Sequence, residues 1–480
     1  MRGRKSEVEL VEDDAAPVEL PEDRAAEELG EPPSRGRGVL RAWPLALLAL
    51  VVAGAYLVDG ARERAARAEL EARLEGQPLF VRELSRRPEP LWSREDASIY
   101  VWPWVQEDTV VIARQTELGT EGNTRFLDLE TGEPLWETRA DGGATTTFCG
   151  FVPEDTELPE GAVLCVRYLV DESEGSVEGA TYELRDLRSG ELVLEHGWRA
   201  GGEFVYPWGE DFVVVDEGSS DVHVRLRGSE GEERWSVPLG DVEREIGGGA
   251  LVQIDHSRAF VSVAGRAVVL ERDGTVVLDV EAPELEEVGE TWVNLEPLAD
   301  GYFSLSTVSF APSTADSERV TQVYAPDGTL AYEVSQDDAG WPAQLGLDDG
   351  SLGRVHAWSG GRTVLRDAAS GAERWSTTWG AESFVMIADK KVVLASGGRV
   401  RVLDEEGVEL WSEVGSEPVA SDGKVLTILE NVGEVARLRA FELGSGSELW
   451  ALELGSAEAR PTATGGHLFL HDSGTFSLLR

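Results

Sequence analysis

At eight recurring places between residues 132 and 450 a turn glycine is followed, four positions later, by a large apolar residue. The pairs are Gly132 and Trp136, Gly190 and Leu194, Gly231 and Trp235, Gly274 and Leu278, Gly328 and Tyr332, Gly371 and Trp375, Gly407 and Trp411, and Gly446 and Trp450. Successive apolar members are 58, 41, 43, 54, 43, 36 and 39 residues apart. A recurring unit of this size cannot bury an apolar face by itself, so the units must stack on one another.

Each unit divides into four short runs with alternating apolar and polar residues, the mark of half-buried strands. In the first unit the runs are 100–105, 109–114, 124–129 and 133–138; in the seventh they are 383–388, 391–396, 399–404 and 408–413. The glycine falls in the tight turn between runs three and four, as in ETGE (130–133) and RDGT (272–275). Such a turn asks one residue for a positive φ, which glycine adopts without steric cost. A Trp on the fourth run offers a wide flat surface to the next unit. These features predict an all-β fold: a β-propeller of four-stranded antiparallel blades, eight or possibly nine in number. The segment PEPLWSRE (88–95) reads as a fourth strand with no preceding three, while HLFLHD (467–472) and TFSLLR (475–480) read as inner strands with no fourth. The N-terminal strand is therefore expected to complete the last blade and close the ring. The long units ending at Leu194 and Tyr332 are the places where a blade is most easily miscounted.

FLDLETGEPLW (126–136) resembles the PQQ-type (quinoprotein) propeller repeat, with Asp128, Thr131, Gly132 and Trp136 at its matching positions and Phe126 in place of Ala. LRDLRSGELVL (184–194) keeps Asp186 and Gly190, VLRDAASGAERW (364–375) keeps Asp367, Gly371 and Trp375, and RAFELGSGSELW (439–450) keeps Ala440, Gly446 and Trp450. The chain is similar to BamB-like propellers of the bacterial envelope. The resemblance implies eight blades and a role through protein contacts. Quinoprotein dehydrogenases of the same repeat family hold their quinone against two adjacent cysteines, beside a calcium ion and an Asp base. The two cysteines here, Cys149 and Cys165, are 16 apart, so no quinone, metal or other cofactor is expected.

The segment before the repeats has its own organisation. Residues 1–41 are rich in Pro, Glu and Ala and poor in large apolar groups, the composition of a disordered tail. Residues 42–58 (AWPLALLALVVAGAYLV) lack charge. They span ~26 Å as a helix, the short end of what crosses a bilayer. A single transmembrane helix is expected there rather than a cleaved leader, because the run is long and a net acidic stretch precedes it. Residues 59–88 read as a helical stalk and linker. The flanking arginines, Arg35, Arg37 and Arg41 against Arg62, Arg64 and Arg67, leave orientation nearly undecided. The expected domains are thus 1–41, 42–58, 59–88 and a propeller over 89–480.

The propeller carries 73 acidic against 29 basic side chains. A surface this acidic repels nucleic acid and anionic lipid. Cys149 and Cys165 flank a Pro- and Gly-containing loop. A disulfide closing it would contribute up to ~3 kcal/mol and would fit an oxidising compartment, with two buried thiols as the alternative. His467 and His471 share a strand face about 13 Å apart, too far to chelate one metal. His196, His223, His256 and His356 are isolated in sequence. No catalytic residues follow from these patterns. The expectation is a cell-membrane protein with a cytoplasmic N-terminus and an extracytoplasmic propeller, binding an unknown envelope protein or ligand without catalysis. The alternatives are a tethered quinoprotein dehydrogenase and an envelope sensor signalling through its tail.

Overall fold

Short runs of Val, Ile, Leu and aromatic residues, punctuated by Gly, Asp and Ser, favour strands over helices along most of the chain. The computed structural model describes residue 62 and residues 64–480, except 96–99, 116–122, 139–144, 150–160, 171–176, 200–202, 210, 217–220, 229–231, 242–250, 256, 264–265, 282–289, 311–316, 335–340, 344, 360–361, 380–383 and 415–416. The expected tail (1–41) and apolar segment (42–58) lie outside these residues. Among the described residues no helix is long and apolar enough to cross a membrane.

Among the described residues, nine sheets make nine blades. Blades 1 to 8 occupy residues 100–137, 145–199, 203–241, 251–281, 290–334, 341–377, 384–414 and 417–453. Blade 9 takes three strands from 460–479 and its fourth, Pro90–Glu95, from the other end of the chain. The units ending at Leu194 and Tyr332 are complete blades. The larger of the two counts allowed by the repeats is therefore the right one, and the eight implied by the resemblance is corrected to nine.

The four strands of a blade are called A to D in sheet order, with A the strand that approaches its counterparts in neighbouring blades. The A–B and C–D turns then lie at one end of every blade. Six A strands contain a proline: Pro103, Pro207, Pro297, Pro342, Pro418 and Pro461. An A strand pairs with B on one side only, and proline belongs on such an edge because the missing N–H costs no ladder bond. Blade 7 has a proline-free A strand, Phe384–Ala388, and this edge is covered by Leu345–Asp348 running parallel to it. The uniform expectation of four antiparallel strands fails there. The cause is the two-residue A strand of blade 6, Trp341–Pro342, after which the chain crosses to its neighbour's open edge.

The core lies between blades rather than within them. One cluster joins blades 3 and 4 through Trp208, Val224, Val261 and Leu270; another joins blades 6 and 7 through Leu365, Trp375, Ile387 and Leu394. Toward the outside, the repeat residues interlock. A methyl group on Gly132 would sit 2.6 Å from the indole of Trp92, and one on Gly190 would sit 2.6 Å from Trp136. The same contact joins Gly274 to Trp235, Gly371 to Tyr332, Gly407 to Trp375 and Gly446 to Trp411. Glycine is thus needed twice over, for positive φ and for the aromatic ring lying on it. Leu194 packs near Phe212 and Val214 of blade 3, and Leu278 among Val293, Leu295 and Phe303 of blade 5. Gly328 instead meets the backbone of Val277. Gly231 lies outside the described residues.

The aromatic rungs are also hydrogen-bonded. The indole N–H groups of Trp92, Trp136, Trp235 and Trp411 donate to the carbonyls of Leu129, Leu187, Arg272 and Leu443, each in the next blade's C–D turn, at 2.9–3.0 Å. The turns are held from within by their leading acid. Asp128 accepts from the backbone and hydroxyl of Thr131, Asp186 from Ser189 and Asp367 from Ser370. These bonds hold the three carboxyls below their ordinary pKa.

Candidate functional site

Blade 9 lacks the hairpin that the other blades share, because its C and D strands come from opposite ends of the repeat region. Glu89 and Arg480 exchange two backbone hydrogen bonds of 2.8 Å in its place. Trp450, the rung before this seam, donates its indole N–H to the carbonyl of Leu84 at 2.8 Å. A residue of the N-terminal segment therefore occupies the acceptor position that a C–D turn fills elsewhere.

Where the compact turn is absent, a cavity of about 830 Å³ opens between blades 9 and 1. Val105, Leu129, Leu468, Leu478 and Val81 form an apolar floor, and Arg82, Arg86, Arg87 and Arg480 stand with Glu89 and Glu130 at the rim. Arg82 is paired with Glu75 at 2.7 Å. Arg86 and Arg87 are exposed and have no ion-pair partner among the described residues. Burial, then the guanidinium groups of Arg82 and Arg480, hold the His467 imidazole below its ordinary pKa, so this histidine is neutral near pH 7. The arrangement of apolar floor and charged rim suits recognition of an apolar side chain on a polar segment.

The residues singled out from sequence fall into separate places. The Gly and aromatic pairs form the rungs described above and do not converge on the cleft. Cys149 and Cys165 are register partners on the A and B strands of blade 2 and are joined by a disulfide, buried beside Val163 and Leu187. His467 lines the cleft, whereas His471 on the same strand does not. His356 is buried in blade 6, its Nδ1 2.7 Å from the Tyr332 hydroxyl. Burial pushes its pKa down to about 4. His223 is 3.5 Å from the Ser236 hydroxyl. His256 and the side chain of His196 lie outside the described residues. Among the described residues no group of three or more His, Cys, Asp or Glu side chains is placed to hold a metal.

The sequence reading did not identify the cleft. Its only trace was the unpaired strand motif at 88–95, which located the seam without showing that a hairpin's volume would be left open.

The fold and its turns define an all-β propeller of four-stranded blades that repeat an acid-led glycine turn. Residues 396–479 match the family described as outer membrane protein assembly factor BamB, which covers the last strands of blade 7 and all of blades 8 and 9 that come from the C-terminal side. A curated relative, the serine/threonine-protein kinase AfsK of Streptomyces coelicolor, is 30% identical over 112 residues, 22% of this chain. The matched stretch spans 14% of that kinase's length. Among solved structures, BamB from Moraxella catarrhalis has a TM-score of 0.41 at 11% identity, covering 82% of this chain and all of that one. A structure of a eukaryotic initiation factor has a TM-score of 0.48 at 10% identity, covering 79% of this chain and 90% of that one.

Proposed function

We propose that this protein is a membrane-anchored, extracytoplasmic scaffold that binds a partner protein through the seam cleft and catalyses no reaction. The observation that supports this reading is the cleft itself, an apolar cavity with unpaired arginines at its rim, at the one junction where the repeated hairpin is replaced. The BamB-type match of the C-terminal blades agrees with a role through protein contacts. The uncharged run 42–58 supplies the anchor, and the disulfide suits an oxidising compartment outside the cytoplasm.

One experiment addresses both place and partner. Both native cysteines are in the disulfide, so Glu130→Cys introduces a single free thiol at the cleft rim. In intact cells, a membrane-impermeant maleimide carrying a photoactivatable group should label it and, on illumination, give a discrete protein adduct. The adduct should disappear when Leu129→Asp is added. Labelling only after cell lysis would reject the extracytoplasmic placement. A labelled protein whose adducts are indifferent to Leu129→Asp would reject the cleft as the docking point.

A further inference from the structure

Residues 67–88 run along the propeller and bury side chains against it. Residues 67–74 are helical, and the chain then crosses the A–B turns of three consecutive blades before entering the ring as Pro90–Glu95. Leu74 and Phe80 are buried between blades 7 and 8, against Leu347, Met386, Ile428 and Phe441. Val81 and Leu84 are buried between blades 8 and 9. At blade 7 the Gln77 amide grips the backbone of Asp348 in both directions, donating to its carbonyl at 2.9 Å and accepting from its N–H at 2.7 Å. At blade 8, Ser421 donates to the Leu79 carbonyl at 2.8 Å and accepts from the Val81 N–H at 3.0 Å, and Asp422 accepts from the Leu84 N–H at 3.1 Å. At blade 9, Gly466 accepts from the Arg82 N–H at 3.2 Å. Leu79 is held at φ 64°, a left-handed conformation that costs free energy for a residue with a side chain and persists only where the surroundings impose it.

These contacts are the ones by which a groove holds an extended peptide: buried apolar anchors at intervals, a side-chain amide clamping backbone, and main-chain bonds between them. We propose that residues 74–84 are a peptide ligand that the chain supplies to its own A–B face. This strap closes the ring, because its Leu84 carbonyl completes the last aromatic rung, and it builds one wall of the cleft through Val81 and Arg82. Release of the strap dismantles that wall. A load on the chain upstream of residue 67, or a competing segment with the same anchors, therefore switches the cleft off. The strap stands without the cleft being a binding site; only the switching rests on that reading.

The test uses the full chain carrying Phe80→Ala and Leu84→Ala, with a fluorescently labelled peptide of residues 67–88. In the unaltered chain the tethered strap acts at an effective concentration near the millimolar range and excludes the free peptide. The peptide should bind the double variant saturably and the unaltered chain at least ~10-fold more weakly. In the variant, amide hydrogen exchange at Ser421 and Arg480 should quicken, and the peptide should restore protection. Equal binding to both chains, binding to neither, or unchanged exchange would each overturn the proposal. Should the double variant not fold, Gln77→Ala in the full chain removes both hydrogen bonds to Asp348, one to the Arg73 carbonyl, and no core side chain. It should quicken exchange at Asp348 and tryptic cleavage after Arg82 and Arg86, and no change in either would reject the strap.

Discussion

Eight blades make their outer hairpin from one continuous stretch of chain, and the ninth makes it from two. In continuous blades the acid and the glycine of the turn lie within a few positions of one another, and the preceding blade's aromatic residue reaches them from 32–51 positions away. At the seam the same jobs are shared among residues hundreds of positions apart: Arg480 and Glu89 close the strand pair, and Leu84 accepts the indole bond. The rung is preserved while the turn is lost: the close surface and the accepting carbonyl opposite Trp450 are both kept, although the Trp375 rung does without the carbonyl. A cleft opens beside this seam, between blades 9 and 1.

Removing the whole rung gives the largest effect and the most direct way to break this comparison. Trp450→Ala, at the seam, should destabilise the protein by about 3–5 kcal/mol, as buried aromatic truncations do, and Trp411→Ala, in a continuous rung with a half-buried indole, by somewhat less. Denaturant melts of the two variants would show it. They should then part company under trypsin, with only Trp450→Ala exposing the strap to cleavage after Arg82 and Arg86. A seam tryptophan that costs under ~1 kcal/mol to remove would mean that the strap does not replace the turn.

The rung between blades 5 and 6 is of a third kind, with Tyr332 on Gly371 and its hydroxyl against buried His356. Burial holds the folded-state pKa of His356 at about 4, below the ~6.5 of an unfolded chain. Between those values the unfolded chain binds the proton and the folded chain does not, so stability rises with pH across this window. The contribution is complete above pH ~6.5 and is lost as the pH falls toward 4, by roughly 3 kcal/mol. Urea melts from pH 4 to 7 should show this slope, and His356→Gln should flatten it. An unchanged slope in the variant would assign the pH dependence elsewhere.

The finest distinction is the indole bond alone. Trp411→Phe and Trp450→Phe keep the aromatic surface and lose one N–H bond, leaving the Leu443 or Leu84 carbonyl without its partner. Each should cost about 1 kcal/mol. Equal costs would show that Leu84 substitutes fully for a turn carbonyl, and a cost confined to Trp411→Phe would show that it does not.

The propeller was legible because its information is local and repeated. Asp128, Thr131, Gly132 and Trp136 lie within nine residues, and the turn they specify is fixed by side chain to backbone bonds over three or four positions. Even the unit ending in Leu194, with no aromatic residue at its rung, could be counted, because the turn chemistry of Asp186 and Gly190 was intact. The six A-strand prolines were equally visible, but they acquire meaning only once their strands are known to be sheet edges.

Sequence alone determined the blade, its turn and the need for stacking, because strand alternation and tight-turn chemistry act between near neighbours. Tertiary structure decided the rest. Gln77 meets Asp348 across 271 positions and Leu84 meets Trp450 across 366. No periodicity records which carbonyl will stand beside the last tryptophan, since that is settled only when the ring closes and its two ends must share one blade. The strap and the cleft are both consequences of that closure.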